Sequence, residues 1–464
     1  MSQSTPERVR YLARCALLPQ GFTDDVVIEV DSHGWITSVD TGLAGDAAPL
    51  RGIAVPGMPN LHCHAFQRAM AGLTERAGPV GDDFWSWRET MYRFLARLGP
   101  DDVEAIAAQL YVELLKQGYT AVSEFHYLHR DPQGRPYADR AELAHRIIAA
   151  ARTSGIGLTL LPVLYQASGF GGAPPTEGQR RFVLGTEAFL DLVGGLFVGY
   201  GRDPQIRIGI APHSLRAVPL EALRQVVAAM SSLDPTVPIH VHVAEQAKEV
   251  DDCLAWSGRR PVEMLLERAP VDARWCLVHC TQSTPAELRG LTESGAVVGL
   301  CPTTEANLGD GIFPLLAYVA AGGHFGIGTD SNVSTSPVEE LRWLEYAQRL
   351  TTRRRHVSEP RPGAATGASL YRRALGGGAQ AAGRPIGVIA PGRRADIVVL
   401  DPEHPVLCGR SEDELLDSWV FAAGGNPVLH VMVGGHWLVR DGRHHRENDI
   451  ADAYRGAIAR LASA

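Results

Sequence analysis

The middle of the chain alternates short apolar segments with longer helical ones, and this alternation is what most restricts its fold. Eight apolar segments have the length of a strand: residues 55–64, 121–125, 158–164, 206–211, 239–244, 275–279, 296–300 and 325–330. Short, nearly continuous apolar strands that alternate with helices are typical of a parallel sheet covered on both faces. Eight of them predict an α/β fold, a (β/α)8 TIM-like barrel, whose catalytic side chains lie at the carboxyl ends of the strands.

Both ends of the chain predict further β-structure outside the barrel. Residues 26–30 and 35–39 are expected strands around a turn, and residues 395–400 and 428–433 are expected strands near the other end. Together they predict a small composite β-sandwich domain built from both chain ends. The expected limits are 1–56 and 384–446 for the two parts of the sandwich, 57–383 for the barrel and 447–464 for a C-terminal helix.

Polar residues stand where four of the barrel strands end. His62 and His64 are two apart, so in a strand both imidazoles point to the same face. His240 and His242 repeat the pattern, and His279 and Asp330 each end another strand. A single histidine or aspartate at a strand end is usually an ordinary packing or loop residue. Four such ends on the same side of one barrel favour a metal site, because imidazole and carboxylate are the ligands that zinc accepts.

Composition excludes several classes of function. A net charge of −8 and a pI near 6.1 argue against nucleic acid as a partner. No run of 18 apolar residues predicts a membrane span, and the first residues lack the apolar stretch of a signal peptide. The seven cysteines have no paired spacing, which fits reduced thiols in the cytoplasm.

The order of these motifs resembles the amidohydrolase superfamily: H-x-H, then H-x-x-E at His242 and Glu245, then a lone histidine and a strand-end aspartate. Residues 387–401, GVIAPGRRADIVVLD, match the β-domain of that superfamily, so the resemblance covers nearly the whole chain. Within the superfamily, residues 56–72, PGMPNLHCHAFQRAMAG, are closely similar to the formimidoylglutamate deiminases of bacterial histidine degradation. This resemblance implies hydrolysis of N-formimino-L-glutamate to N-formyl-L-glutamate and ammonia.

The resemblance also implies a metal site. Its ligands would be His62, His64, His242 and Asp330, with zinc preferred and iron or manganese as alternatives. His240 would then be a structural neighbour. Some superfamily members hold two metals bridged by a carboxylated lysine from the fourth strand region. The expected strand at 158–165 contains no lysine, so one zinc per chain is expected.

Catalytic and substrate-binding residues follow from the same resemblance. Glu245 would carry a proton, His279 would orient the attacking oxygen, and Asp330 would accept a proton as well as bind the metal. The expected substrate-binding residues are Gln67, Arg88, Tyr127, His213 and Arg216. Arginine binds carboxylates in a bidentate fork, which suits a glutamate derivative with two carboxylates. The resemblance further implies a homodimer that acts on a small molecule.

Two other interpretations remain open from the sequence. One is a related deaminase of a heterocycle, such as guanine or an adenosine derivative, although a flat ring needs stacking more than two arginine forks. The other is a barrel without metal that serves as a scaffold or binding protein.

Overall fold

A computed structural model describes residues 8–42, 45–76 and 83–463 of the 464-residue chain. The expectation that the first residues lack a signal peptide rests mainly on residues 1–7, which lie outside this range. Among the described residues, no helix combines the length and the apolar character needed to cross a membrane.

The predicted barrel is confirmed. Its strands are β5 (Met58–Cys63), β6 (Tyr119–His126), β7 (Gly157–Leu164), β8 (Ile206–Ile208) with β9 (Ala211–Pro212), β10 (Ile239–Val243), β11 (Trp275–His279), β12 (Val297–Leu300) and β13 (His324–Ile327). Neighbouring strands pair in parallel from β5 to β8 and from β10 to β13, while β9 pairs with β7. Parallel bridges between Ile210 and Ile239 and between Cys63 and Asp330 join the two groups and close the barrel.

The barrel strands are buried on both faces, which explains their nearly continuous apolar sequences. Every residue of β6, β7, β10 and β11 is buried. A parallel strand covered by helices outside and by packed side chains inside has no face for solvent. The fourth strand departs from the prediction, because it lies at β8 and β9, split around Gly209, while the strand expected at 158–165 is the third. Neither strand contains a lysine. A Cβ at Gly209 would lie only 2.6 Å from a Leu161 methyl and 2.8 Å from the Pro238 carbonyl oxygen.

Helices alternate with the strands as expected. They are α1 (Phe84–Leu95), α2 (Pro100–Gln117), α3 (Glu142–Ser154), α4 (Thr186–Tyr200), α5 (Leu220–Leu233), α6 (Ala247–Ser257), α7 (Pro261–Arg268), α8 (Pro285–Ser294), α9 (Pro302–Leu308), α10 (Leu315–Ala320), α11 (Pro337–Thr352), α12 (Thr366–Ala382), α13 (Asp413–Ala422) and α14 (Glu447–Ser463), with 3₁₀ turns at Ala65–Met70 and Glu177–Gln179. Helix α2 ends at Gln117 and is capped by Gly118, whose φ of 101° is a left-handed conformation that favours glycine.

The strands of the two chain ends form one composite sheet. They are β1 (Arg8–Leu18), β2 (Gly21–Asp31), β3 (Ile36–Thr41), β4 (Ala48–Pro56), β14 (Ile397–Leu400), β15 (Val428–Val433), β16 (His436–Arg440) and β17 (Arg443–His444). They lie in the order β17-β16-β15-β14-β4-β1-β2-β3, so antiparallel pairing of β4 with β14 joins the two ends. One face packs around its own apolar cluster, which includes Val26, Ile28, Ile397 and Met432. The composite origin is confirmed, while the sandwich arrangement stays a prediction.

Candidate active site

Four side chains from three strand ends converge at the carboxyl end of the barrel and form what we call the donor cluster: His62, His64, His242 and Asp330. The Nε2 atoms of His62 and His242 are 3.1 Å apart. Oδ1 of Asp330 lies 3.6 Å from Nε2 of His62 and 3.4 Å from Nε2 of His64. Each of the three histidines offers one ring nitrogen, and these three nitrogen atoms lie within 4.8 Å of one another. All four residues are buried.

The chemistry of the donor cluster fits a divalent cation. Burial lowers the pKa of His62 to about 3 and also lowers the pKa of His64 and His242, so the imidazoles are neutral and able to donate lone pairs. Burial acts to raise the pKa of Asp330, but its contacts with His62, His64 and His279 lower it below its usual range. His64 turns Nδ1 to the Phe125 carbonyl at 3.0 Å, which leaves Nε2 for the cluster. Three neutral imidazoles and one carboxylate are a donor set typical of zinc.

The backbone is left-handed at three positions that lie at or just after the ends of barrel strands. Ala244, His279 and Asp330 have φ values of 52°, 73° and 47°. Left-handed backbone is unfavourable for residues with a Cβ and persists where surrounding contacts enforce it, often at functional sites. Asn332 enforces it beside Asp330, because its amide donates to the carbonyl oxygens of His64 at 3.0 Å and of Asp330 at 2.9 Å.

Glu245 and His279 lie next to the donor cluster. Nε2 of His279 is 3.8 Å from Oε1 of Glu245 and 3.7 Å from Oδ2 of Asp330. Its Nδ1 lies 3.2 Å from Oε1 of Glu305. Burial opposes a charge on this imidazole, but the carboxylates of Glu245, Glu305 and Asp330 raise the pKa of His279 to about 10. Burial raises the pKa of Glu245 above its usual range, so this carboxyl can exchange protons closer to neutrality.

The same cavity contains the five side chains expected to bind substrate. It is lined by Gln67, Arg88, Tyr127, His213 and Arg216, together with His64, His242, Glu245, His279 and Asp330. The Gln67 amide donates to the Tyr127 hydroxyl at 3.0 Å. Burial lowers the pKa of His213 well below its usual range, so this imidazole is neutral. The structure thus brings together every site residue that the sequence predicted.

Two arginines supply positive charge to the cavity, which Glu245 and Asp330 also line. The guanidinium carbon of Arg88 lies 4.5 Å, and that of Arg216 5.9 Å, from the centre of the Trp85 ring. The Trp85 ring therefore packs near both guanidinium groups. The buried Nε atoms of Arg88 and Arg216 have no hydrogen-bond partner among the described residues. Two cations with unsatisfied donors in one cavity favour a ligand with two anionic groups.

Several residues of the site were not predicted from the sequence. Glu305 contacts His279, Asn332 holds the backbone of the donor cluster, and Tyr165 lines the cavity. Glu249 accepts hydrogen bonds from the backbone beside Glu245. Of these residues, only Glu249 could have been found from the sequence, because it is an acid four residues after Glu245, in the first turn of the following helix.

Other predicted features lie away from the cluster. Nε2 of His240 lies 2.8 Å from the Ala381 carbonyl oxygen, as suits a structural neighbour. The only two lysines of the sequence, Lys116 and Lys248, pair with Glu447 and Asp252 and not with the donor cluster.

Comparison with known proteins shows the same motifs in a wider family. Residues 53–438 match the family model described as "Amidohydrolase family". A formimidoylglutamate deiminase of Pseudomonas aeruginosa is 53% identical over 450 residues, which cover 97% of this chain and 98% of the relative. The crystal structure of an amidohydrolase from Brucella melitensis is 47% identical, with a TM-score of 0.92, and covers 98% of this chain and 100% of the other.

The fold extends to more distant proteins. An adenosine deaminase from Xanthomonas campestris with bound zinc is 22% identical and has a TM-score of 0.82, with 98% of this chain and 99% of the other covered. At that identity the likeness concerns the fold.

Proposed function

The chain belongs to the amidohydrolase family and is a hydrolase, and from that premise we propose that it converts N-formimino-L-glutamate and water to N-formyl-L-glutamate and ammonia. The observation that carries the proposal is the pair of arginines in the cavity that also contains the donor cluster. A glutamate skeleton offers two carboxylates to two guanidinium groups and leaves its amidine free to reach the cluster. The 53% identity to a formimidoylglutamate deiminase supports the same substrate.

The donor cluster would hold one divalent cation, zinc by preference, through His62, His64, His242 and Asp330. When bound, such a cation supplies Lewis acidity and lowers the pKa of a bound water. The chain's own residues supply the proton transfers. Glu245 takes a proton from the attacking water and delivers it to the imine nitrogen as the carbon–oxygen bond forms. Asp330 accepts the second proton.

The departure of ammonia requires that the leaving nitrogen be protonated, because an amide anion is a poor leaving group. Asp330 donates the second proton of the water to this nitrogen as the carbon–nitrogen bond breaks and the formyl carbonyl forms. His279, held by Glu305 at 3.2 Å, orients the attacking oxygen and stabilises negative charge that develops on it. Gln67, Tyr127 and His213 line the cavity and fix the position of the amidine between the arginines and the cluster.

A panel of substrates tests the proposal. The measurement is ammonia release from formiminoglutamate, formiminoaspartate, guanine and adenosine by the purified protein. We expect turnover of formiminoglutamate and none of the heterocycles. If a heterocycle reacts and formiminoglutamate is inert, the related heterocycle deaminase is the correct interpretation and the glutamate assignment is wrong.

We further propose a homodimer in the cytoplasm and participation in histidine degradation, on the basis of the resemblance. The unpaired cysteines agree with a reducing compartment. The proposed domains are 57–383 for the barrel, 1–56 with 384–446 for the β-sandwich, and 447–464 for the C-terminal helix. Light scattering on the purified protein would give the number of chains in each particle.

A further inference from the structure

Glu249 is a fully buried acid that the proposed chemistry does not use. It lies in the first turn of α6, four residues after Glu245, with 0% of its surface exposed. Its carboxylate accepts hydrogen bonds from the backbone N–H of Ala244 at 3.3 Å and of Glu245 at 3.1 Å. A charged group so deep in the protein is costly unless hydrogen bonds and an opposite charge compensate it.

The two backbone bonds fix the turn that aims Glu245 into the cavity. Ala244 has a φ of 52°, a left-handed conformation that is unfavourable for a residue with a Cβ. Because one carboxylate binds both consecutive N–H groups, it stabilises this turn directly after β10. The direction of the Glu245 side chain therefore depends on Glu249.

The opposite charge comes from Arg216, which lies between two acids. Its Nε is 3.7 Å from Oε2 of Glu249, and its Nη2 is 3.6 Å from Oε2 of Glu245. If Glu249 were neutral, Arg216 would pair with Glu245 alone. That pairing would draw the guanidinium away from a substrate carboxylate and restrain the group that carries the proton.

We propose that Glu249 is a positioning residue that holds the substrate-binding Arg216 and the proton carrier Glu245 in a fixed relation. The inference rests on the proposed function, since it assigns Arg216 to a substrate carboxylate. It adds a coupling between two parts of the site: the acid that shapes the turn of Glu245 is also the second counter-ion of the arginine that captures substrate.

Glu249→Gln is the main test, with Asp251→Asn as the matched control. Asp251 is an exposed acid on the same helix, so its variant removes one charge without touching the site. We expect Glu249→Gln to raise KM and lower kcat, with kcat/KM about 10- to 100-fold lower, because a charge-assisted contact is lost. We expect Asp251→Asn to match the wild type. If Glu249 serves only to keep the fold, Glu249→Gln will lower the active fraction but leave KM unchanged, and the proposal is wrong.

A double substitution tests whether Glu249 acts on binding through Arg216. Once Arg216→Met has removed the guanidinium, the addition of Glu249→Gln should raise KM little further. KM effects that simply multiply would contradict the proposal. Glu249→Asp keeps the charge but retracts it by one methylene, so KM should rise severalfold. If the glutamine variant does not fold, a wild-type KM in Glu249→Asp overturns the proposal.

A crystal structure of a Glu249 variant separates this inference from the proposed function. We expect Arg216 to rotate towards Glu245 and the turn at Ala244 to relax, whatever the substrate is. Failure of wild-type protein to act on formiminoglutamate would reject the proposed function only. An unchanged Arg216 and an unchanged turn would reject the positioning role.

Discussion

Glu245 lies within ion-pair distance of both His279 and Arg216, at 3.8 Å and 3.6 Å, in the cavity that contains the donor cluster. Glu245→Gln preserves the shape of the side chain and removes the carboxyl that we propose as the proton carrier. We expect the metal content and the melting temperature to stay near wild type and kcat to fall about 10²- to 10⁴-fold. The measurements are elemental analysis, thermal unfolding and steady-state kinetics. Near-normal kcat with the metal retained would show that another group carries the proton.

Arg88 and Arg216 line the cavity, and we propose that substrate choice depends on them. Replacement of either by Met should lower kcat/KM for formiminoglutamate about 10- to 200-fold, because each charge-assisted hydrogen bond contributes about 1.5–3 kcal/mol. Lysine should restore only part of the loss, since a point charge cannot form the bidentate fork. Formiminoaspartate, one methylene shorter, should be a poor substrate. Equal kcat/KM for wild type and both Met variants would show that the arginines do not contact the substrate.

Residues whose positions follow from strand periodicity could be predicted from the sequence, while those joined to the site by tertiary contacts could not. His62, His64 and His242 stand at strand ends in a recognisable order. Glu305 reaches His279 from α9, 26 residues further along the chain. Asn332 bonds to the carbonyl oxygen of His64 across 268 residues. No local pattern indicates such contacts, because they depend on how the barrel closes.

At the scale of elements, the barrel closes where β5 meets the segment after β13. Parallel bridging of Cys63 with Asp330 joins them, and the Asp330 backbone N–H donates to the His62 carbonyl at 3.0 Å. Gly328 permits this approach, since a Cβ there would lie 2.7 Å from the His62 carbonyl oxygen. Two strands that carry ligands of the donor cluster are thus held in register by backbone contacts.

We call the contact between β5 and the segment after β13 the seam, and the Asn332 side chain links its two sides. Asn332 is fully buried and left-handed, with a φ of 61°, and bonds to the carbonyl oxygens of both His64 and Asp330. Asn332→Ala removes both amide hydrogen bonds, while each carbonyl keeps a backbone donor, from Gln67 and His64 respectively. We therefore expect a loss of roughly 1–3 kcal/mol in the free energy of unfolding and weaker metal retention. Urea unfolding and metal release to a chelator are the measurements. Asn307→Ala, at an exposed asparagine, is the control and should change neither. Wild-type stability in Asn332→Ala would show that the seam does not depend on this amide.

At the scale of the whole molecule, the sequence predicted the barrel and the joining of both chain ends in one β-structure. The barrel could be predicted because each of its eight strands lies in the interior and therefore has a mainly apolar sequence. The order of the composite sheet could not, since the pairing of β4 with β14 brings together residues more than three hundred positions apart in the sequence. Leu161 and Pro238 leave no room for a Cβ at Gly209, beside the split in the fourth strand, and this crowding is likewise tertiary.

The number of metal ions bound per chain shows whether the protein has one metal site or two. A second group of possible ligands, His279, Cys301 and Glu305, lies beside the donor cluster. It is already engaged, because Glu305 accepts from the Cys301 backbone N–H at 3.0 Å and lies 3.2 Å from Nδ1 of His279. Burial raises the pKa of the Cys301 thiol well above its usual range, which disfavours the thiolate that binds metals.

We therefore expect about one divalent metal per chain, zinc by preference, held by the donor cluster. Chelation should abolish turnover and lower the melting temperature, because a ligand that binds only the folded state stabilises it. Addition of one equivalent of zinc should restore both. His242→Ala should lose the metal, whereas Cys301→Ala should retain it. Two stoichiometric metals per chain, or metal loss in the Cys301 variant, would contradict the mononuclear assignment and place a second cation at His279 and Glu305.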